Sequence, residues 1–251
     1  MEYKDRTYRN HLKKGRWETF TVTYKATDLW IGVDKASYNP QIVDFSLSKI
    51  KELYLEMESY LRKDPNYATA LTPYTPSVDT PEIFREMSQV SEQSGIGPMS
   101  AVAGAVACRI GLQIKNAFHT QEVIVENGGD IYADIQEDMD VFVFAGSSPL
   151  SERVGFIVSA SYSPIGICTS SGTVGPSLSF GKADAVMIIC KNCALADTYA
   201  TALGNCIQTK EDIDPCMEKI KMVKDIIAAI CIKDDKVGII GDFKLKINGK
   251  Q

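Results

Sequence analysis

The chain has 251 residues, 45% of them apolar and 24% charged, and a formal net charge of -5. That length can bury a large core, and the mild acidity argues against nucleic acid as a partner, because phosphates call for a basic surface. Seven cysteines, an odd number set mostly in apolar segments, point to reduced thiols and not to a disulfide framework. No apolar run opens the chain, and no later stretch reaches the ~18 consecutive apolar residues of a membrane span. The expectation is a cytoplasmic protein without signal peptide or membrane partner. The basic cluster of Lys13, Lys14 and Arg16 beside His11 reads as a solvated turn before the first strand.

Residues 17–33 predict two strands, the first alternating Phe20, Val22 and Tyr24. Asn39-Pro40 then opens a long helix with one apolar stripe: Val43, Leu47, Ile50, Tyr54, Met57 and Leu61. It stops before Asp64-Pro65, since proline excludes the helical conformation from the residue before it. The proline-rich residues 64–81 form a long connector, a candidate lid or crossover. A short helix over 81–91 follows, with Thr80 as its cap and Pro81 at its first position. An Ala- and Gly-rich helix begins at Pro98, and its small residues suit a buried position close to another backbone.

Strand-like runs come next at 122–125, 131–135, 141–145, 154–160, 165–169 and 185–190. Helices are expected at 194–203 and 215–227, then strands at 229–232, 237–240 and 243–247. Short turns between neighbouring strands favour antiparallel pairing, so the fold class is α+β in one module over 1–251.

Three stretches could carry chemistry. Between two strands lies Asn127-Gly128-Gly129-Asp130, whose glycines permit positive φ and expose backbone N–H groups to a ribose, phosphate or ring edge. The same pattern is also ordinary hairpin chemistry. Gly95-Ile96-Gly97 precedes a helix, where free N–H groups and the helix dipole attract anions; an entry turn for a tightly packed helix is an equal alternative. Asp197 and Thr201 lie four apart on a predicted helix, so a carboxylate and a hydroxyl share a face and suit Mg²⁺. A helix N-terminal Asp and a Thr hydroxyl bonded to its own backbone would look the same. Cys190-Lys191-Asn192-Cys193 has redox-pair spacing but no second pair or paired histidines for zinc, and the only histidines are His11 and His119. Two histidines leave little room for acyl-transfer hydrolysis.

The order of these stretches resembles the ApbE-like family of FAD:protein FMN transferases. Asn127-Gly128-Gly129-Asp130-Ile131 is similar to its N-x-G-G-D-I element, and Thr169-Ser170-Ser171-Gly172 to its T-S-G element. Residues 196–203 are similar to its A-D-A-x-A-T-A-L element. The likeness spans about half the chain, residues 95–205. It implies an ApbE-like α+β fold of largely antiparallel sheets packed with helices. It also implies FAD or a related dinucleotide as ligand and Mg²⁺ held by Asp197 and Thr201. Asn127, Gly128, Gly129 and Asp130 would line the nucleotide site, with Thr169, Ser170 and Gly172 nearby, and Gly95 and Gly97 standing where the family has a glycine-rich loop.

The chain departs from the family pattern in two places. Residues 95–103 contain no lysine, and a short stretch, 175–181, replaces the histidine-bearing H-I-I-D-P-x-T-G segment. Two functions follow from the resemblance: an Mg²⁺-dependent transferase acting on a flavin dinucleotide, or a flavin- or nucleotide-binding protein that has lost that chemistry. A homodimer is compatible with either.

Overall fold

The computed structural model describes residues 15–174 and 178–248. Strands β1 (Trp17–Tyr24) and β2 (Thr27–Asp34) pair antiparallel, and α1 (Gln41–Lys63) follows. Then come the one-turn α2 (Pro65–Thr69), α3 (Glu82–Ser94), a 3-10 turn over Pro98–Ala101, and α4 (Val102–Phe118). Strands β3 (Val123–Asn127), β4 (Asp130–Asp134), β5 (Met139–Phe142), β6 (Val154–Val158), β7 (Ile165–Ser170) and β8 (Ala185–Cys190) lead to α5 (Cys193–Gly204). The chain continues through α6 (Ile213–Lys221), β9 (Ile226–Lys233), β10 (Lys236–Gly241) and β11 (Lys244–Ile247).

Eight strands form one sheet in the order β1-β2-β3-β4-β7-β8-β9-β10, antiparallel at every pairing; β11-β6-β5 form a second, smaller one. Along each central strand alternate residues enter different cores. Val186, Ile188 and Cys190 of β8 meet the helices, while Ala185, Met187 and Ile189 meet the small sheet. Burial on both faces explains why these strands read as continuous apolar runs in an antiparallel sheet. The result is three layers: helices, large sheet, small sheet. Among the described residues no single helix is long and apolar enough to cross a membrane.

Several expectations need correction. The buried face of α1 is Ile42, Ser46, Ile50, Leu53 and Tyr60; of the predicted stripe only Ile50 is fully buried. Ser46 can enter the core because its hydroxyl donates to the Ile42 carbonyl at 2.7 Å. Tyr54 instead meets Tyr24 edge-on, 5.4 Å between centroids. Thr80 does not cap α3: its hydroxyl donates to the Ser77 carbonyl at 2.7 Å, and Pro81 takes the cap position. The helix expected to 227 ends at Lys221, because Ile226 already pairs with Cys190 in the sheet. Arg16 is no solvated turn residue; it forms an ion pair with Glu122, which also accepts from the Trp17 indole at 2.9 Å. Lys13, Lys14, His11 and residues 175–177 lie outside the described residues.

The connector 64–81 is pinned. Tyr67 is fully buried and its hydroxyl donates to the Phe84 carbonyl at 2.7 Å, while the Tyr74 hydroxyl donates to Asp64 at 2.9 Å.

Candidate functional site

The β3–β4 hairpin turns on Gly128 and Gly129, with φ of +69° and +108°. Two successive residues at positive φ make the tight turn that matches strand twist, which glycine adopts without strain. The turn fixes Asn127 opposite Asp130. Asn127 donates its side-chain N–H to the Ala103 carbonyl at 3.1 Å, tying the hairpin to the start of α4. Glu126, fully buried, accepts from the Gly129 N–H at 2.7 Å.

Asp130 begins β4 beside Cys168 of β7. Its carboxyl is buried, and among the described residues nothing donates a hydrogen bond to Oδ1. Burial, first, and then the charge of Asp197 push this carboxyl well above the usual range; the Cys168 thiol and the Thr169 backbone pull weakly the other way.

Asp197 lies on α5, and the packing that buries it is set by two glycines. A Cβ on Gly104 of α4 would come within 2.5 Å of the Cys193 carbonyl and 2.9 Å of the Asp197 Cβ. A Cβ on Gly166 of β7 would overlap the Cys193 Cα. The start of α5 is therefore wedged between α4 and the sheet. Asp197 Oδ2 accepts the Gly104 N–H at 2.8 Å, and the Ala103 N–H also favours its charge. These are the second and third helical residues of α4, so the carboxylate caps that helix from another element, where the dipole favours an anion. Burial still dominates and raises its pKa to about 7. Asp197 is thus a buried residue and not one on the helix surface.

Two buried carboxylates lie close enough here for the charge of Asp197 to act on Asp130, and among the described residues no Lys or Arg forms an ion pair with either. One turn further along α5, the Thr201 hydroxyl donates to Ser170 Oγ at 3.2 Å. That bond joins α5 to the end of β7, where Thr169 and Ser170 are half-buried. The Thr169 carbonyl lies 3.4 Å from where a Cβ on Gly129 would sit. Asn127, Gly129, Asp130, Thr169, Ser170, Asp197 and Thr201 are accordingly gathered around the hairpin end of the sheet. Gly172 sits beyond them, its N–H donating to the Ala183 carbonyl at 2.9 Å.

Gly95 and Gly97 have other partners. Gly95 closes α3 at φ +77°, its N–H donating to Ser91, and the Gly97 N–H donates to the Leu71 carbonyl of the connector at 2.9 Å. A Cβ on Gly97 would overlap the Ala70 carbonyl oxygen. Their link to α5 runs through hydroxyls: Thr198 Oγ1 lies 2.7 Å from Ser94 Oγ and 2.8 Å from Ser100 Oγ.

Cys168 and Cys193 were not anticipated at the site. Their sulfurs lie 3.6 Å apart, so Cys193 meets Cys168 across the sheet–helix interface. All seven cysteines are free thiols. The hydrogen bond from Cys168 lowers the Cys193 thiol, but burial and the two carboxylates outweigh it and raise it overall. A surface hollow of about 270 Å³, lined by Glu82, Cys108, Arg109 and their neighbours, lies on the outer side of α3 and α4. Its Arg109–Glu82 pair is internally satisfied at 3.2 Å, and it holds none of the residues above.

The antiparallel sheets packed with helices make this an α+β protein. The flavinyl transferase ApbE of Pseudomonas stutzeri, in its apo form, superposes with a TM-score of 0.55 at 14% identity, covering 90% of this chain and 94% of that one. The ApbE protein of Thermotoga maritima gives 0.52 at 12%, covering 88% and 96%. Both likenesses are of fold. A family model described as AbpE bacteria matches residues 9–222. A UPF0280 protein of Methanocaldococcus jannaschii is 36% identical over 230 residues, 90% of this chain and 91% of its own. One from Methanococcus vannielii is 35% identical over 225 residues, 88% and 89%. The chain belongs to this ApbE-like UPF0280 family.

Proposed function

We propose that this chain is a cytoplasmic flavin-dinucleotide-binding protein, one module over its full length, that works with a divalent cation. One observation carries the reading. Among the described residues Asp130 and Asp197 are buried together without a cationic partner, and Asp130 Oδ1 accepts no hydrogen bond. Uncompensated buried carboxylates are costly unless protonated or bound to a cation. Oxygen donors of this type suit Mg²⁺, which completes its shell with water and phosphate. Among the described residues no three His, Cys, Asp or Glu side chains cluster for a metal. The cation would therefore bind through Asp130, Asp197 and the Thr201 hydroxyl only together with ligand phosphates. Bound there, it would neutralise charge on a pyrophosphate.

The rest falls to the chain itself. The hairpin glycines let backbone approach the ligand closely. The Ala103 and Gly104 N–H groups favour the ionised form of Asp197 against its burial, and Ser170 orients Thr201. Such a site could place a pyrophosphate for attack by an acceptor hydroxyl, releasing AMP from FAD. Asn127, Gly128, Gly129, Thr169, Ser170 and Gly172 line the approach in this reading; Gly95 and Gly97 shape the adjoining turn.

A second reading, binding without turnover, has its own support. His119, the one described histidine, ends α4, about 25 Å from the helix start where Asp197 sits, at 1.5 Å per residue. Residues 95–103 supply no lysine either. The test is incubation with FAD and Mg²⁺, with and without a Ser/Thr peptide acceptor. AMP released by wild type only with the peptide present, with FMN left esterified to the peptide hydroxyl, and neither product from Asp197→Asn, establishes the transferase; AMP with free FMN in the absence of peptide would make it a hydrolase. Metal-dependent binding with no AMP in any arm establishes the binder.

A further inference from the structure

Asp197, Thr201 and Asn205 follow one another at four-residue steps, so they share one face of α5, about 6 Å apart per step. The first two are the proposed cation residues. The third has a different task. Asn205 Oδ1 accepts the Phe180 N–H at 2.8 Å and the Ser179 hydroxyl at 3.2 Å. Gln208 donates to the Phe180 carbonyl at 2.8 Å, and the Lys182 N–H donates to the Ile207 carbonyl at 2.7 Å. A Cβ on Gly181 would overlap the Gly204 carbonyl, and one on Gly172 would overlap the Gly181 carbonyl. The backbone around Phe180 is thus clamped between the end of α5 and the residues that follow β7.

The side chains on this clamped segment point outward. Leu178 is 66% exposed and Phe180 59%, beside a site whose other residues are polar. Holding the backbone while leaving an aromatic ring uncovered is what a stacking platform requires. We infer that Phe180, flanked by Leu178, is the platform on which a planar ring of the dinucleotide stacks. The inference rests on the cation–pyrophosphate reading. A phosphate at Thr201 lies one helical step from Asn205, so a sugar or sugar-alcohol spacer would bring the attached ring to Phe180. Leu178 and Phe180, which fall in the short stretch that departs from the family pattern, then gain a role: they form an apolar seat that selects for a ring.

The test compares wild type, Phe180→Ala and Phe180→Tyr by calorimetry in Mg²⁺, with pyrophosphate, ADP, FMN and FAD as probes. Phe180 is exposed, so the variants should fold, and thermal melting checks this. The expected result is FAD affinity lowered about tenfold by Phe180→Ala and retained by Phe180→Tyr, with pyrophosphate affinity unchanged. Whichever of ADP and FMN loses affinity in parallel identifies the ring, and an FMN fluorescence quench lost in Phe180→Ala would assign the flavin. Equal FAD affinity in all three proteins overturns the platform while leaving the cation site standing. So does a change confined to the oligomeric state, which would make the apolar pair a contact between copies. Failure of pyrophosphate and FAD alike to bind wild type overturns the underlying reading and the platform with it.

Discussion

Asp197 shows how one carboxylate can answer to two demands. Its hydrogen bonds to α4 favour the charge, and its burial opposes it; burial wins and the group titrates near 7 in the folded chain, against 3.8 for the ordinary carboxyl. The folded state therefore holds this proton more tightly than the unfolded state. Stability from this group is full below about 4, is lost as pH rises from there to about 7, and is flat above. A bound cation reverses the balance, because it needs the ionised form. Melting curves at pH 5.5 and 8 should show a Mg²⁺–nucleotide stabilisation that is larger at 8. Asp197→Asn should abolish that difference and lower nucleotide affinity about 100-fold, the order expected for losing a charged ligand. Asn keeps an acceptor for Gly104, whereas Ala would strand a buried N–H at ~1–3 kcal/mol and confuse affinity with folding. Asp184 is a poor control: it is buried and accepts from the Asp234 N–H at 2.6 Å and from the Thr173 hydroxyl at 3.0 Å. Glu56, exposed on α1, serves instead. An equal loss in Asp197→Asn and Glu56→Gln would remove the special role of Asp197.

At the scale of elements, the site depends on how closely α4, α5 and β7 approach. Gly104 is the contact point. Gly104→Ala drives a methyl into the Cys193 carbonyl and should destabilise the chain by ~1–3 kcal/mol, read as a lower denaturant midpoint at constant slope. Gly95→Ala meets open space and strains only a left-handed φ, so it should cost ~1 kcal/mol. If the two are equal, the wedge is not what sets the packing. The connector is the other device. Its anchors, Tyr67, Tyr74 and the Leu71–Gly97 bond, leave Val78 93% exposed at its tip. We propose it as the cover of the ligand cleft. Protease should then nick near Val78 in the free protein and spare it with FAD and Mg²⁺ present; equal cutting in both states would make it a plain crossover. Element types were readable because periodicity and proline placement are local. The buried face of α1 was not, since Ser46 enters the core through a bond to its own helix and no apolar pattern signals it.

For the whole molecule, the antiparallel α+β architecture was legible from short turns and strand-like runs, and the ordered motifs pointed to the family. Strand order was not legible, and the site depends on it: Asp130 meets Cys168 only because β4 pairs with β7 across two intervening strands of the small sheet. For the same reason the Asp130–Asp197 pair was hidden, as was the use of Asp197 to cap α4. Spacing along one helix gave Asp197 with Thr201 and could give no more. The account as a whole turns on those two carboxylates needing a cation. Its most direct test is calorimetric titration of FAD into wild type with Mg²⁺ and again with EDTA. The account predicts binding in Mg²⁺ that weakens at least about tenfold in EDTA; the same affinity in both, or no heat in either at millimolar FAD, would contradict it.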